Sequence, residues 1–248
     1  MSGHSKWATI KHKKGAADKA RGKLFAKLIK QVEVAARQGG GDVDSNPTLR
    51  TMFQKARDNS VPLDTIERAV KRGTGELEGV TYESTSYEGY APGGVAVYVD
   101  VLTDNRNRTG SEIRSLFTKN GGSMAEPGAV AWQFDRKGVV VVDGTIGEDD
   151  LMAVALDAGA DDLVRDDDKW SVLCEPAETM SVRDAIEAAG FAVDSADLTM
   201  QATSTVEISD ASEAKAVLNV MEALDDHDDV QDVYANFDIP GEILDSLS

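Results

Sequence analysis

The sequence holds one cysteine, Cys174, so no internal disulfide framework can form and a cytoplasmic setting is expected. Cys174 sits in the apolar stretch SVLCEP and reads as a core residue, since free cysteines are usually buried and inert. No run approaches the roughly 18 apolar residues that a membrane span needs, and no membrane partner is expected. The first residues lack the apolar h-region of a secretory signal. They are basic and amphipathic, as a transit peptide is, but Lys-rich rather than Ser- and Arg-rich, which argues against cleavage. Histidines number three: His4, His12 and His227. His4 and His12 have no acids beside them, so no metal site is expected. No glycine-rich stretch continues as GKS or GKT, which excludes a P-loop. RDDDKW and LDDHDDV crowd carboxylates without the spaced ligands and glycine of a calcium loop, and are read as turns with solvated faces. No Ser/His/Asp set stands out. The chain is therefore read as a non-enzyme, with no cofactor and no small-molecule substrate.

Charge is what the sequence has, and it is divided. The formal net charge is -18. Residues 1–72 carry 16 Lys or Arg against 7 Asp or Glu, and residues 73–248 carry 10 against 37. A net of +9 is thus followed by a net of -27. The basic part attracts polyanions, and the acidic part repels them and limits how they dock.

The basic part reads as helical. Leu24, Leu28, Val32 and Ala35 recur at helical spacing, with Phe25, Ile29 and Ala36 widening the stripe. At about 100° per residue, Lys19, Lys23, Lys27, Lys30 and Arg37 fall together on the other face. Gly39–Gly41 closes this helix, Asn46-Pro47 caps and starts a second, and Val61-Pro62 opens a third that ends at Gly73-Thr74-Gly75. From about Thr81 the pattern changes. TSYEGYAPGGVAVYVDVLTD reads as two strands around a Pro92-Gly93-Gly94 turn, and NRTGSEIRSLFTKNG as a helix. AVAWQF and GVVVVDG read as short strands. Residues 138–200 then follow a β-α-β-β-α-β order, and a further helix and strand, ASEAKAVLNVMEAL and VQDVYANF, follow. The expected architecture is α+β and multidomain. A helical domain at 1–78 precedes a discontinuous α/β domain at 79–137 with 204–248, and a second α/β domain at 138–203 is inserted into it.

Two stretches are candidates for binding. In the amino-terminal arm, Trp7 and His12 are flat rings interleaved with Lys6, Lys11, Lys13 and Lys14. Lysines gain affinity for phosphates by releasing counterions, and rings stack on exposed bases. The arm has few apolar anchors and is read as ordering on a partner. The second stretch, TDNRNRTG, places Arg106 and Arg108 with Asn105, Asn107 and Thr109 at a strand end feeding a helix, where anions bind. An N-cap with two solvent-facing arginines is the plainer reading of the same residues.

GHSKWATIKHKKGAAD, RGKLFAKLIKQVEVAARQGGGD, NPTLR, VPLDTIERAVKRGTG and YEGYAPGGVAVYVDVLTDNRNRT, in this order, resemble the YebC/PmpR family, which includes mitochondrial translational activators. The departures are mild: Thr9 stands where asparagine is common, and Val43 where proline is common. The resemblance implies three domains, two of them ferredoxin-like, and no enzymatic activity. It implies a cytoplasmic, DNA-binding transcriptional regulator. Other members are described as translation factors that bind ribosomal RNA on the ribosome and help it through proline-rich peptides, so DNA and RNA both stand as partners at this point. Lys6, Trp7, Lys11, His12, Lys13 and Lys14 fall in the family's leading motif. Lys23, Lys27 and Lys30 fall in its first helix, and Arg106 and Arg108 in its NRNRT motif. The sequence-specific reading of bases has little support in the residues themselves, because the first helix offers lysines, which position on phosphates.

Overall fold

The computed structural model describes residues 17–166 and 168–247. By its internal contacts the chain divides into two compact units. Of these residues, one unit contains 17–27, 80–135 and 200–247, and the other contains 28–79 and 136–199 without residue 167.

The first unit is built on β1 (Glu83–Ala91) and β2 (Val95–Thr103), antiparallel and joined by the short 3-10 turn Pro92–Gly94. Gly93 and Gly94 both have positive φ, which explains a Gly-Gly pair at this reversal. Helix α4 (Arg106–Lys119) follows, then β3 (Ser123–Met124) on the outer side of β1. The chain returns after residue 200 with β8 (Val206–Glu207), α7 (Ala211–Asp225), β9 (Val230–Ala235), β10 (Phe237–Asp238) and α8 (Gly241–Ser246). β9 pairs antiparallel with β2, so the sheet order is β3-β1-β2-β9. Alternation along β2 fills both faces. Val95, Val97, Val99 and Val101 meet Ile113 and Phe117 of α4 and Val217, Met221 and Leu224 of α7. Ala96 joins Val130, Phe134 and Tyr234 in a second cluster, with Tyr98 packed against it.

The segment read as the strand AVAWQF is instead a 3-10 turn at Ala131–Gln133. Its cause is Glu88 of β1. Glu88 is buried, and its carboxylate accepts hydrogen bonds from the backbone N–H groups of Gly128 and Val130, both at 2.6 Å, and Ala131, at 2.8 Å. These donors are spent on a side chain rather than a neighbouring strand. Burial pushes the Glu88 pKa up, but the three donors together outweigh it and leave the carboxyl below its ordinary value.

The second unit contains α2 (Pro47–Asp58), α3 (Leu63–Thr74) and the carboxy-terminal part of α1 (Ala17–Gly39). Asn46 caps α2 by accepting from Leu49 N–H at 3.1 Å, and its amide donates to the Ala35 carbonyl at 2.9 Å. Leu28, Val32, Ala35 and Ala36 of α1 are buried, as the periodicity predicts, but Leu24 is exposed; Leu49 and Ala56 of α2 and Ile66 and Ala69 of α3 are buried as well. A Cβ at Gly73 would run into the Glu33 backbone carbonyl and sit 2.7 Å from the Ala36 methyl, so α1 and α3 approach closely only over a glycine.

The same unit holds β4 (Phe134–Asp143, from Arg136 on), α5 (Glu148–Asp157), β5 (Ala160–Asp166), β6 (Lys169–Cys174), α6 (Thr179–Ala188) and β7 (Val193–Ala202, up to Thr199). Their sheet order is β5-β6-β4-β7. Numbered along the chain this is 2-3-1-4, the ferredoxin-like order, reached from the β-α-β-β-α-β pattern. Val140, Val142, Trp170, Val172 and Cys174 meet Leu151 and Ala155 of α5 and Val182 and Ile186 of α6. Arg183, itself buried, pairs with Asp58 at 2.8 Å and Glu187 at 3.1 Å.

Candidate nucleic-acid interface

The residues proposed from sequence divide into three groups. Lys6, Trp7, Lys11, His12, Lys13 and Lys14 lie outside the described residues. Lys19 lies on α1 with its side chain outside the description, and Lys30, further along α1, is half-buried.

Lys23 and Lys27 of α1 are occupied. Lys23 Nζ donates to the Asp226 carbonyl at 2.9 Å and pairs with its carboxylate at 3.0 Å. Lys27 Nζ donates to the Asp225 carbonyl at 2.8 Å and pairs with that carboxylate at 3.2 Å. Asp225 and Asp226 close the carboxy-terminal end of α7, where the last carbonyls lack helical partners and the helix dipole favours cations. Part of the lysine face read as a candidate nucleic-acid contact is here held by α7, and Lys27 is only 8% exposed. Further along α1, Glu33 is buried between Arg72 at 2.8 Å and Arg37 at 3.4 Å.

The NRNRT stretch splits its two arginines. Asn105 caps α4, accepting from Arg108 N–H at 3.1 Å, and Thr103 and Thr109 share a buried hydroxyl–hydroxyl bond of 2.7 Å. Arg108 turns to acids: Asp229 at 2.5 Å, Asp104 at 3.0 Å and Glu112 at 3.7 Å. Its hydrogen bond to Asp229 raises the guanidinium pKa further, so it stays charged and held. The stretch LDDHDDV, read as solvated, thus supplies the partners of Lys23, Lys27 and Arg108. Nothing in its composition separates partnered from solvated acids, because the cations lie about 120 to 200 residues away in sequence.

Arg106 faces another way. With Tyr87, Asn107, Gly110, Ser111, Arg114 and Met124 it lines an open recess of about 400 Å³. The Tyr87 hydroxyl donates to the Arg106 carbonyl at 3.0 Å, and burial pushes the phenol pKa up, which keeps that proton in place. Arg106 and Arg114 are exposed. Arg114 and Ser111 were missed from sequence, whereas Asn107 belongs to the stretch singled out above. Their signal is the spacing 107, 110, 111, 114, which places them on one helical face with Gly110.

Two family models together match most of the chain. The TACO1/YebC N-terminal domain matches residues 5–76, and the TACO1/YebC second and third domain matches residues 82–237. The chain belongs to the TACO1/YebC family. Relatives from Syntrophobacter fumaroxidans and Trichlorobacter lovleyi, each 54% identical over the full length of both chains, are named "Probable transcriptional regulatory protein". One from Halothermothrix orenii, 53% identical over all of this chain and 99% of its own, has the same name. The fold is similar to the crystal structure of a conserved hypothetical protein from Aquifex aeolicus. That similarity has a TM-score of 0.83 and 45% identity, over 92% of this chain and 94% of the other. Among the described residues, no helix is long and apolar enough to cross a membrane, and no group of three or more His, Cys, Asp or Glu is placed to hold a metal ion.

Proposed function

We propose that this protein is a non-enzymatic, cytoplasmic regulator of transcription that binds DNA through its phosphate backbone, with the basic amino-terminal region as the grip. The observation that carries the reading is the charge division: +9 over residues 1–72 against -27 over the rest. Such a chain docks on a polyanion chiefly by its basic end. The relatives' shared name supports transcription as the process. The pairing of Lys23 and Lys27 with Asp226 and Asp225 shifts the expected phosphate contacts toward the arm, to Lys6, Lys11, Lys13 and Lys14, with Trp7 and His12 as stacking rings. In this reading the helical region 1–78 is the binding domain. The discontinuous domain at 79–137 with 204–248 holds α1 by Asp225 and Asp226, and the insert at 138–203 forms the third domain.

The test is crosslinking in cells followed by identification of the nucleic acid attached to the first 30 residues. Promoter DNA is the expected product. Recovery of ribosomal RNA in its place overturns the reading.

A further inference from the structure

Helix α4 carries three arginines and sorts them. Arg108 points to the carboxylates of Asp229, Asp104 and Glu112. Arg106 and Arg114 line the recess beside β1, and among the described residues neither has a carboxylate partner. This is unusual in a region with 37 acids and 10 bases, where the other helix arginine has three acidic partners. Asn107 and Ser111 put further hydrogen-bonding groups along the same wall, and Gly110 leaves the floor bare: a Cβ there would sit 3.1 Å from the Tyr87 hydroxyl. Tyr87 in turn fixes the start of the helix through the Arg106 carbonyl.

The shape limits the ligand. The recess is open, so it cannot enclose a small molecule and exclude water from it, as small-ligand sites do. Eight residues at the helical rise also set Arg106 and Arg114 about 12 Å apart along the axis. A single phosphate ion cannot engage both, whereas a chain of phosphates can, and planar guanidinium forks suit phosphodiester oxygens.

We infer that this recess is a second phosphate-backbone contact, in which Arg106 and Arg114 each take a different phosphodiester of one DNA strand while the Asn107 amide donates to the same strand. The inference rests on the DNA-binding reading above and adds a contact outside the amino-terminal region. Arg108 is excluded from it, because its charge is already committed to Asp229.

The experiment measures binding of the full chain to a fluorescein-labelled DNA duplex by anisotropy, across salt concentrations. It compares the wild type, Arg106→Ala/Arg114→Ala and Arg106→Lys/Arg114→Lys. Among the described residues neither arginine supports the fold through an ion pair, and circular dichroism checks that both variants fold. Two lost phosphate contacts make the slope of log affinity against log salt shallower by about 1.8 in the alanine variant, and the lysine variant recovers most of it. A wild-type slope in the alanine variant overturns the recess and leaves the DNA-binding reading standing. Absence of duplex binding by the wild type overturns both.

Discussion

Lys27 reaches across 198 residues of sequence to Asp225 and makes two contacts there, to the carbonyl at 2.8 Å and the carboxylate at 3.2 Å. A long basic helix is thereby anchored to the end of α7 by the charges that would otherwise mark it as a phosphate-binding face. Lys23 repeats the contact one turn earlier, on Asp226.

Lys27→Met is therefore expected to cost stability rather than DNA affinity. Removing one partner of this largely buried pair costs about 3–5 kcal/mol. Urea denaturation reads that loss, and the salt dependence of duplex binding should match the wild type. Lys23→Met removes a more exposed pair, worth about 0–1 kcal/mol. A shallower salt slope with unchanged stability in Lys27→Met would assign this lysine to the ligand instead.

Glu88 organises the segment that follows β3, and it does so as a carboxylate. In Glu88→Gln an amide NH2 faces a backbone donor, with an expected loss of about 2–3 kcal/mol. The folded pKa lies below the ordinary 4.5, so this stabilisation is complete above 4.5 and fades as the pH falls through the lower folded value. Thermal unfolding from pH 7 to pH 3 should show a weaker acid dependence for Glu88→Gln than for the wild type. Equal acid dependence in the two proteins would remove Glu88 from the explanation.

Gly73→Ala tests the contact between α1 and α3. The new methyl meets the Glu33 backbone, which cannot swing aside as a side-chain end can. The helix preference of alanine, worth about 1 kcal/mol, works the other way. A net destabilisation of about 1–3 kcal/mol is expected from overpacking. Denaturant unfolding measures it, and a more stable Gly73→Ala protein would show that the helices separate freely.

Cys174 is buried in the core under α5 and α6, and burial pushes its thiol pKa up. The thiolate is the reactive form. Iodoacetamide at pH 8 should leave the folded protein unmodified and label it fully in denaturant, as read by intact mass. Fast labelling of the folded chain would place the thiol at the surface.

The fold was legible wherever periodicity and turn chemistry agree. The Pro92-Gly93-Gly94 reversal, the Asn46-Pro47 helix start and the β-α-β-β-α-β order each lie within a few tens of residues, and all are present. AVAWQF misled because its alternation resembles a strand, while the deciding group, Glu88, lies some 40 residues earlier. Trp132, in that turn, is 73% exposed, where a buried strand would have covered it. The site was harder still. Helical spacing shows that lysines share one face of α1, but not that Asp225 and Asp226 wait opposite Lys27 and Lys23. Arg106 and Arg108 are two residues apart and look alike in sequence. About 200° of helical rotation sends one to the recess and the other to Asp229.

In the proposed function the arm's lysines hold the DNA. Its most direct measurement is the salt dependence of duplex binding by the full chain with Lys6, Lys11, Lys13 and Lys14 all changed to alanine. Four lost contacts predict a slope shallower by about 3 to 4. A slope equal to that of the unaltered protein would contradict it.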